Sequence, residues 1–143
     1  MRELPTLDEI IETFELLGDW EERFGYIIDL GKRLPPMPES ERTDDARVHG
    51  CQAQVWLRLE REGGGSDRLR IRAISDAHIV NGLIAIVMSM YNGRTAAEAM
   101  AVDARGILER LELDAHLSGT RRNGLEAMIR RIRALAVEME AGR

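Results

Sequence analysis

The sequence predicts an α+β fold, in which helices pack against a small antiparallel sheet of about three strands in the order α-α-β-β-α-α-α. Residues 54–60 and 68–75 alternate apolar and polar side chains, which is the period of a strand with one buried face. After residue 75 the apolar residues instead follow the spacing of amphipathic helices. Strands and helices in separate blocks indicate an α+β domain.

Capping residues predict two helices before the strands. Thr6 with Glu9 is a capping-box pattern that opens the first helix. Asp19 with Glu22 caps the second helix, which a glycine and then two prolines end. The next stretch, residues 37–46, contains prolines and aspartates and is predicted to be a loop with a short helical turn.

The two alternating segments expose different side chains. In residues 54–60 the polar face also holds Trp56, whereas in residues 68–75 it holds arginines. The glycine-rich tract at residues 63–66 is predicted to connect the two strands as a hairpin. Residues 47–48 are the candidates for a short third strand.

The chain after residue 75 is predicted to be helical. Thr95 with Glu98 is a second capping box, and Asp103 is the candidate start of a further helix. Thr120 is the predicted cap of the last helix. The apolar stripe of that last helix consists of Leu125, Met128, Ile129, Ile132, Leu135 and Met139.

Length and composition favour a single domain over residues 1–143. The chain is 44% hydrophobic and 31% charged, as in globular proteins and unlike disordered ones. The net charge of −5 argues against a nucleic-acid-binding surface. The acidic start is unlike a signal peptide, and the most apolar run, residues 79–91, is too short to span a membrane. One cysteine forms no internal disulfide, so we expect a cytoplasmic protein that is not bound to a membrane.

The segment RVHGCQAQVW, residues 47–56, places that cysteine among polar residues at the start of a predicted strand. An unreactive cysteine more often lies in an apolar run. Gly50 permits the backbone conformations of a tight, exposed loop tip. A thiol reacts as its thiolate, which a nearby cation or helix N-terminus favours. Local chemistry leaves two interpretations of Cys51 open, a small buried hydrophobe and a nucleophile.

Other chemistry has few candidate residues. The three histidines, His49, His78 and His116, show no ligand spacing, and there is no second cysteine, so no metal site is predicted. The glycine tract is no phosphate loop, because no Lys-Ser/Thr follows it. The arginines of the last helix are predicted to form its solvated face.

Four segments, in order along the chain, form a recognisable set. The central one, GCQAQVW at residues 50–56, is close to the motif Gly-Cys-Gln-Ser-Gln-Val-Trp. The others are residues 19–38, residues 75–84, and Arg121 with residues 124–129. Together they resemble the SufE-like cysteine desulfuration proteins, the sulfur-acceptor partners of PLP-dependent cysteine desulfurases.

The resemblance implies an accessory sulfur-transfer protein rather than a stand-alone enzyme. Cys51 would accept sulfane sulfur from the persulfide of a SufS-like or CsdA-like desulfurase and carry it as its own persulfide. The protein would stimulate the desulfurase and pass the sulfur to an iron–sulfur scaffold complex. It would need no cofactor, since PLP belongs to the partner. The resemblance also implies a homodimer, and a resting cysteine held in an apolar cavity until its loop swings outward.

Four supporting residues carry over from the resemblance. Arg121 matches an arginine near the cysteine loop, where a guanidinium would stabilise a thiolate or persulfide anion. Asp76 matches a residue near the loop and the partner-binding surface. Gln52 and Gln54 would serve as amide donors or loop anchors.

The chain departs from the family pattern at three positions. Asn81 stands where members often carry lysine or arginine, and His78 where alanine is common, so partner preference is expected to differ. His49 occupies a variable position, and its activation of Cys51 is a hypothesis drawn from its proximity in sequence.

Two other function classes remain alternatives. One is a stand-alone thiol hydrolase that uses Cys51 and a histidine, although such catalysis needs a base oriented by a third group, and no such pattern is legible. The other is an interaction module whose cysteine is silent.

Overall fold

The computed structural model describes residues 4–64 and 66–142, and these residues form seven α-helices and one two-stranded sheet. The α+β class is confirmed. The helices are α1 (Leu7–Leu16), α2 (Trp20–Gly31), α3 (His78–Tyr91), α4 (Ala96–Met100), α5 (Ala104–Arg110), α6 (Leu113–His116) and α7 (Gly119–Ala141), and the strands are β1 (Val55–Arg61) and β2 (Leu69–Ser75).

Hydrogen bonds confirm four of the predicted helix starts. Thr6 and Thr95 each form a complete capping box with the glutamate three residues later. Asp19 and Asp103 each accept a hydrogen bond from the backbone three residues later. In each case a side-chain oxygen satisfies a backbone N–H that the first turn of a helix leaves without a partner.

The predicted start of the last helix is wrong by two residues. The N-cap of α7 is Ser118 rather than Thr120, and its Oγ accepts a hydrogen bond from the backbone N–H of Arg121 at 3.2 Å. Five described helices follow β2, two more than in the predicted order. One of them, α6, has four residues, too few to show a helical period.

The two strands pair antiparallel, as predicted, with Val55 opposite Ser75 at one end and Arg61 opposite Leu69 at the other. The candidate third strand is a single bridge between Arg47 and Trp56. Residues 37–46 contain two short 3-10 turns instead of one. Of the predicted glycine connection at 63–66, residue 65 lies outside the described residues.

Helix α3 lies at the centre of the molecule. It contacts α1, α2, α7 and β2, and most of its side chains are buried. Nothing in residues 4–64 and 66–142 forms a helix with the length and apolar character needed to cross a membrane.

Two glycines allow α2 and α3 to approach each other more closely than helices with side chains can. A Cβ on Gly31 would lie 2.6 Å from the backbone nitrogen of Gly82, and a Cβ on Gly82 would collide with the carbonyl oxygen of Ile27. Both clashes involve backbone atoms, so a side-chain rotation cannot relieve them. The position of α3 therefore depends on the absence of these two side chains.

We expect Gly82→Ala to lower the free energy of unfolding by about 1–3 kcal/mol or more, the usual cost of overpacking. Gly25→Ala is the matched control, because Gly25 lies inside α2 with no atom within 4 Å of its ideal Cβ position. That control should stabilise the protein by roughly 0.5–1 kcal/mol, since alanine favours the helix. Urea denaturation measures both changes; equal stability of the two variants would contradict the interpretation of the glycine contact.

Candidate functional site

Cys51 lies on a loop that turns back just before β1. The backbone N–H of Val48 donates to the carbonyl oxygen of Val55 at 2.9 Å and closes the base of the loop. Gly50 has a φ of 94°, in the left-handed region that favours glycine. A Cβ at Gly50 would also lie 3.3 Å from the Cβ of Ala127. Glycine thus satisfies both the turn and the packing of the loop on α7.

The Cys51 side chain borders a cavity of about 260 Å³ between the loop, the start of α3 and the start of α7. Cys51 is partly buried, and its Sγ donates to the carbonyl oxygen of Gly124 at 3.5 Å. Gly124 presents no side chain between that carbonyl and the thiol. The lining residues are Cys51, Gln52, Ala53, Ala77, Val80, Leu83, Thr120, Arg121, Gly124, Leu125 and Met128.

Burial raises the pKa of the Cys51 thiol above its ordinary value. The hydrogen bond to the Gly124 carbonyl acts in the same direction, because only the protonated thiol can donate it. Both effects keep the resting thiol protonated at neutral pH. Since the thiolate is the nucleophile, this arrangement disfavours the reactive form of Cys51.

Two of the residues named by the sequence share this cavity with Cys51. Arg121 lies in the first turn of α7, where its backbone N–H is bound by the Ser118 cap and its side chain is exposed. Gln52 is the neighbour of Cys51 on the loop. The N-terminus of α7 carries the positive end of the helix dipole, so this side of the cavity favours an anion.

Asp76 and Gln54 lie together at the point where the loop joins β1. The backbone N–H of Gln54 donates to Oδ1 of Asp76 at 3.1 Å, and the backbone N–H of Asp76 donates to the carbonyl oxygen of Gln54 at 3.3 Å. Gln54 anchors the loop through its backbone in both bonds.

His49 lies apart from the thiol. It borders a separate cleft with Asp44, Asp45, Arg130 and Arg131, and no hydrogen bond of the described residues joins it to Cys51. His116 stacks on Trp20 with ring centroids 4.0 Å apart. Within residues 4–64 and 66–142, no three histidine, cysteine or acidic side chains converge as metal ligands.

Sequence reasoning missed two residues that support the loop. Ser75 is buried, and its Oγ donates to the carbonyl oxygen of Gln54 at 2.7 Å. Gly124 contributes the carbonyl that binds the thiol. The central motif gives no sign of either contact, because both join segments that are distant in sequence. Both residues belong to stretches that the family resemblance includes, and that is the one signal in the sequence that could have found them.

The structure defines a small α+β protein whose one thiol lies partly buried on a loop beside a cavity. The chain belongs to the SufE family: the family model, described as an Fe-S metabolism associated domain, matches residues 8–136. The resemblance drawn from the sequence is therefore confirmed, and the chain belongs to a sulfur-transfer family of iron–sulfur metabolism.

Curated relatives and a solved structure agree with this membership. An uncharacterized SufE-like protein of Rhizobium meliloti is 46% identical over 134 residues, which cover 93% of this chain and 96% of the relative. A second uncharacterized SufE-like protein, from Rhizobium etli, is 44% identical over 91% of this chain and 88% of the relative. The solution structure of a hypothetical protein of Thermus thermophilus shows the same fold, with a TM-score of 0.74 and 23% sequence identity. The match covers 94% of this chain and 96% of the Thermus chain.

Alkylation of Cys51 by iodoacetamide should continue to accelerate with pH beyond about 8.5, where an unperturbed thiol is half ionised. The raised pKa has a consequence for stability as well. The folded state retains the thiol proton to higher pH than the unfolded state. The resulting contribution to stability is fully present below the pKa of the unfolded chain, and it is lost as the pH rises through the pKa of the folded chain.

Cys51→Ser is the control for this second effect, because it removes the titrating group. Above about pH 8.5 the free energy of unfolding of the parent should fall relative to that of the variant, as followed by urea denaturation. The proposed protection of the thiol would be contradicted if the alkylation rate of the folded protein levelled off at the same pH as that of the urea-unfolded chain, or at a lower pH.

Proposed function

We propose that this protein accepts sulfane sulfur from a PLP-dependent cysteine desulfurase onto Cys51, stimulates that enzyme, and delivers the sulfur for iron–sulfur cluster assembly. The observation that carries the proposal is the placement of the thiol, on a loop above a cavity of about 260 Å³, in a chain of the SufE family. The partner would be a SufS-like or CsdA-like enzyme and the recipient an iron–sulfur scaffold complex.

The transfer is an exchange of one sulfur–sulfur bond for another. The Cys51 thiolate attacks the terminal sulfur of the desulfurase persulfide, a new S–S bond forms on Cys51, and the desulfurase cysteine leaves as its thiolate. The transferred sulfur keeps its oxidation state, and the Cys51 proton goes to solvent or to the departing thiolate. The step needs no oxidant, reductant or metal.

The loop can be released at small cost. Within the described part of the chain, the only side-chain hydrogen bond that residues 49–53 make is the one from the Cys51 thiol to Gly124, and residues 49 and 50 form a tight turn. Gly50 supplies a flexible point before the cysteine. A docked desulfurase would exchange this one bond and the cavity contacts for its own, and would expose the thiol where it can ionise.

Arg121 is the cation best placed to assist the transfer. It borders the cavity beside Cys51, and the N-terminus of α7 lies under it. A guanidinium there would stabilise both the attacking thiolate and the persulfide anion that follows. Asp76, Gln52 and Gln54 would position the loop.

Other parts of the proposal follow from family membership. The protein would act in the cytoplasm as a homodimer without a cofactor of its own, since PLP chemistry is the partner's. The geometry gives less support to a stand-alone hydrolase, because His49 borders a different cleft from Cys51.

Incubation with an active cysteine desulfurase, PLP and cysteine should add the mass of one sulfur atom to the protein, and a reductant should remove it. Intact-protein mass spectrometry with peptide mapping should place it on Cys51, and Cys51→Ser should not gain it. His49→Ala tests the histidine hypothesis in the same assay. An unmodified parent with both SufS-like and CsdA-like enzymes would refute the proposed function.

Arg121→Ala should slow sulfur acceptance about fivefold, the effect of losing roughly 1 kcal/mol of charge stabilisation of the anion. Arg122→Ala is the matched control. It removes the same charge from the next residue, whose side chain donates to the carbonyl oxygen of Asp114 in a different groove. Single-turnover transfer from the purified desulfurase persulfide measures both rates. Equal rates in the two variants would remove Arg121 from the site.

A further inference from the structure

The turn that anchors the cysteine loop is held by a side chain of α3. Asn81 lies in the first turn of that helix, where its Oδ1 accepts from the backbone N–H of Ser75 at 2.7 Å. Its Nδ2 donates to the carbonyl oxygen of the same Ser75 at 3.1 Å. Both hydrogen-bonding groups of one amide side chain therefore fix one backbone position at the end of β2.

Ser75 passes this constraint to the loop. Only 7% of Ser75 is exposed, and its Oγ donates to the carbonyl oxygen of Gln54 at 2.7 Å while accepting from the backbone N–H of Ala77 at 3.2 Å. Gln54 is the residue at which the cysteine loop enters β1. A continuous set of hydrogen bonds thus joins Asn81 to the C-terminal end of the loop.

The same helix also supplies one wall of the Cys51 cavity. Val80 and Leu83, on either side of Asn81 along α3, line the cavity together with Ala77. The bonds of Asn81 therefore fix the loop and this wall relative to each other.

We propose that Asn81 is a positioning residue for Cys51, which acts through Ser75 to keep the loop closed over the thiol at rest. Its hydrogen bonds set how readily the thiol becomes accessible to another molecule. The further claim, that this accessibility governs sulfur acceptance, rests on the proposed function. The closure itself belongs to the isolated chain and is measured without a desulfurase.

The fold offers a matched control at the other end of α3. Oδ1 of Asn92, the C-cap residue of α3, accepts from the backbone N–H of Ile71 at 2.7 Å, so it forms the same type of bond to the same strand. Asn92 borders neither the cysteine loop nor its cavity. Asn92→Ala therefore reports the general effect of releasing β2 from α3.

The experiment is the rate of iodoacetamide alkylation of the folded, isolated protein at a fixed pH. The Cys51 thiolate attacks the methylene carbon, a C–S bond forms, iodide leaves and the thiol proton goes to solvent. Asn81→Ala should react about fivefold to tenfold faster than the parent, the effect of losing about one net hydrogen bond. Ser75→Ala should react faster too, and the double variant no faster than the faster single variant, because both act through one set of bonds.

Asn92→Ala should stay within about twofold of the parent, since a local opening of the strand away from the loop leaves the loop closed. The proposal is overturned if Asn81→Ala reacts at the parent rate, or if Asn92→Ala accelerates as much. Should Asn81→Ala fail to fold, Ser75→Ala against Asn92→Ala decides by the same comparison. Sulfur transfer to the parent is scored separately, so a failed transfer with accelerated alkylation refutes the proposed function and leaves the role of Asn81 in place.

Discussion

The close contact between α2 and α3 determines where the rest of the molecule can lie. Gly31 and Gly82 allow the two backbones to touch, and this places α3 at the centre, against the sheet. From there α3 holds β2 at both ends, through Asn81 and Asn92, and forms one wall of the cavity beside Cys51. The geometry of the thiol therefore depends on two residues that have no side chain and lie outside the site.

As the proposed sulfur carrier, Cys51 would have to meet two opposed requirements. A carrier thiol needs shelter from oxidants and stray thiols, yet it must become a thiolate when its partner arrives. The structure meets the first requirement through burial and the Gly124 carbonyl. It leaves the second attainable, because residues 49–53 are held by so few bonds within the described chain. Hydrogen bonds hold the loop at its two ends, and few hold it at its tip.

The sequence could predict what local chemistry controls. Capping oxygens act over three residues, so four helix starts were predicted correctly. At the start of α7 two hydroxyl residues, Ser118 and Thr120, lie two positions apart and either could be the cap, so the sequence alone does not decide between them. Cys51 and Arg121 were found through a motif and a resemblance, and the structure places them at one cavity. The contacts of Gly124 with Cys51, and of Asn81 with Ser75, depend on how α7 and α3 pack, which no local pattern encodes.

The presence of one cysteine in the chain sets the fate of any sulfur bound there. A persulfide on a protein with a second nearby thiol can collapse to an internal disulfide in a unimolecular step, at a rate that no dilution alters. Within a single copy of this chain that route does not exist. A persulfide on Cys51 would be discharged by a bimolecular reaction, so its lifetime would depend on the concentration of outside thiols and on whether they fit the cavity. Selectivity among recipients then becomes a matter of molecular size and docking rather than of intrinsic sulfur reactivity.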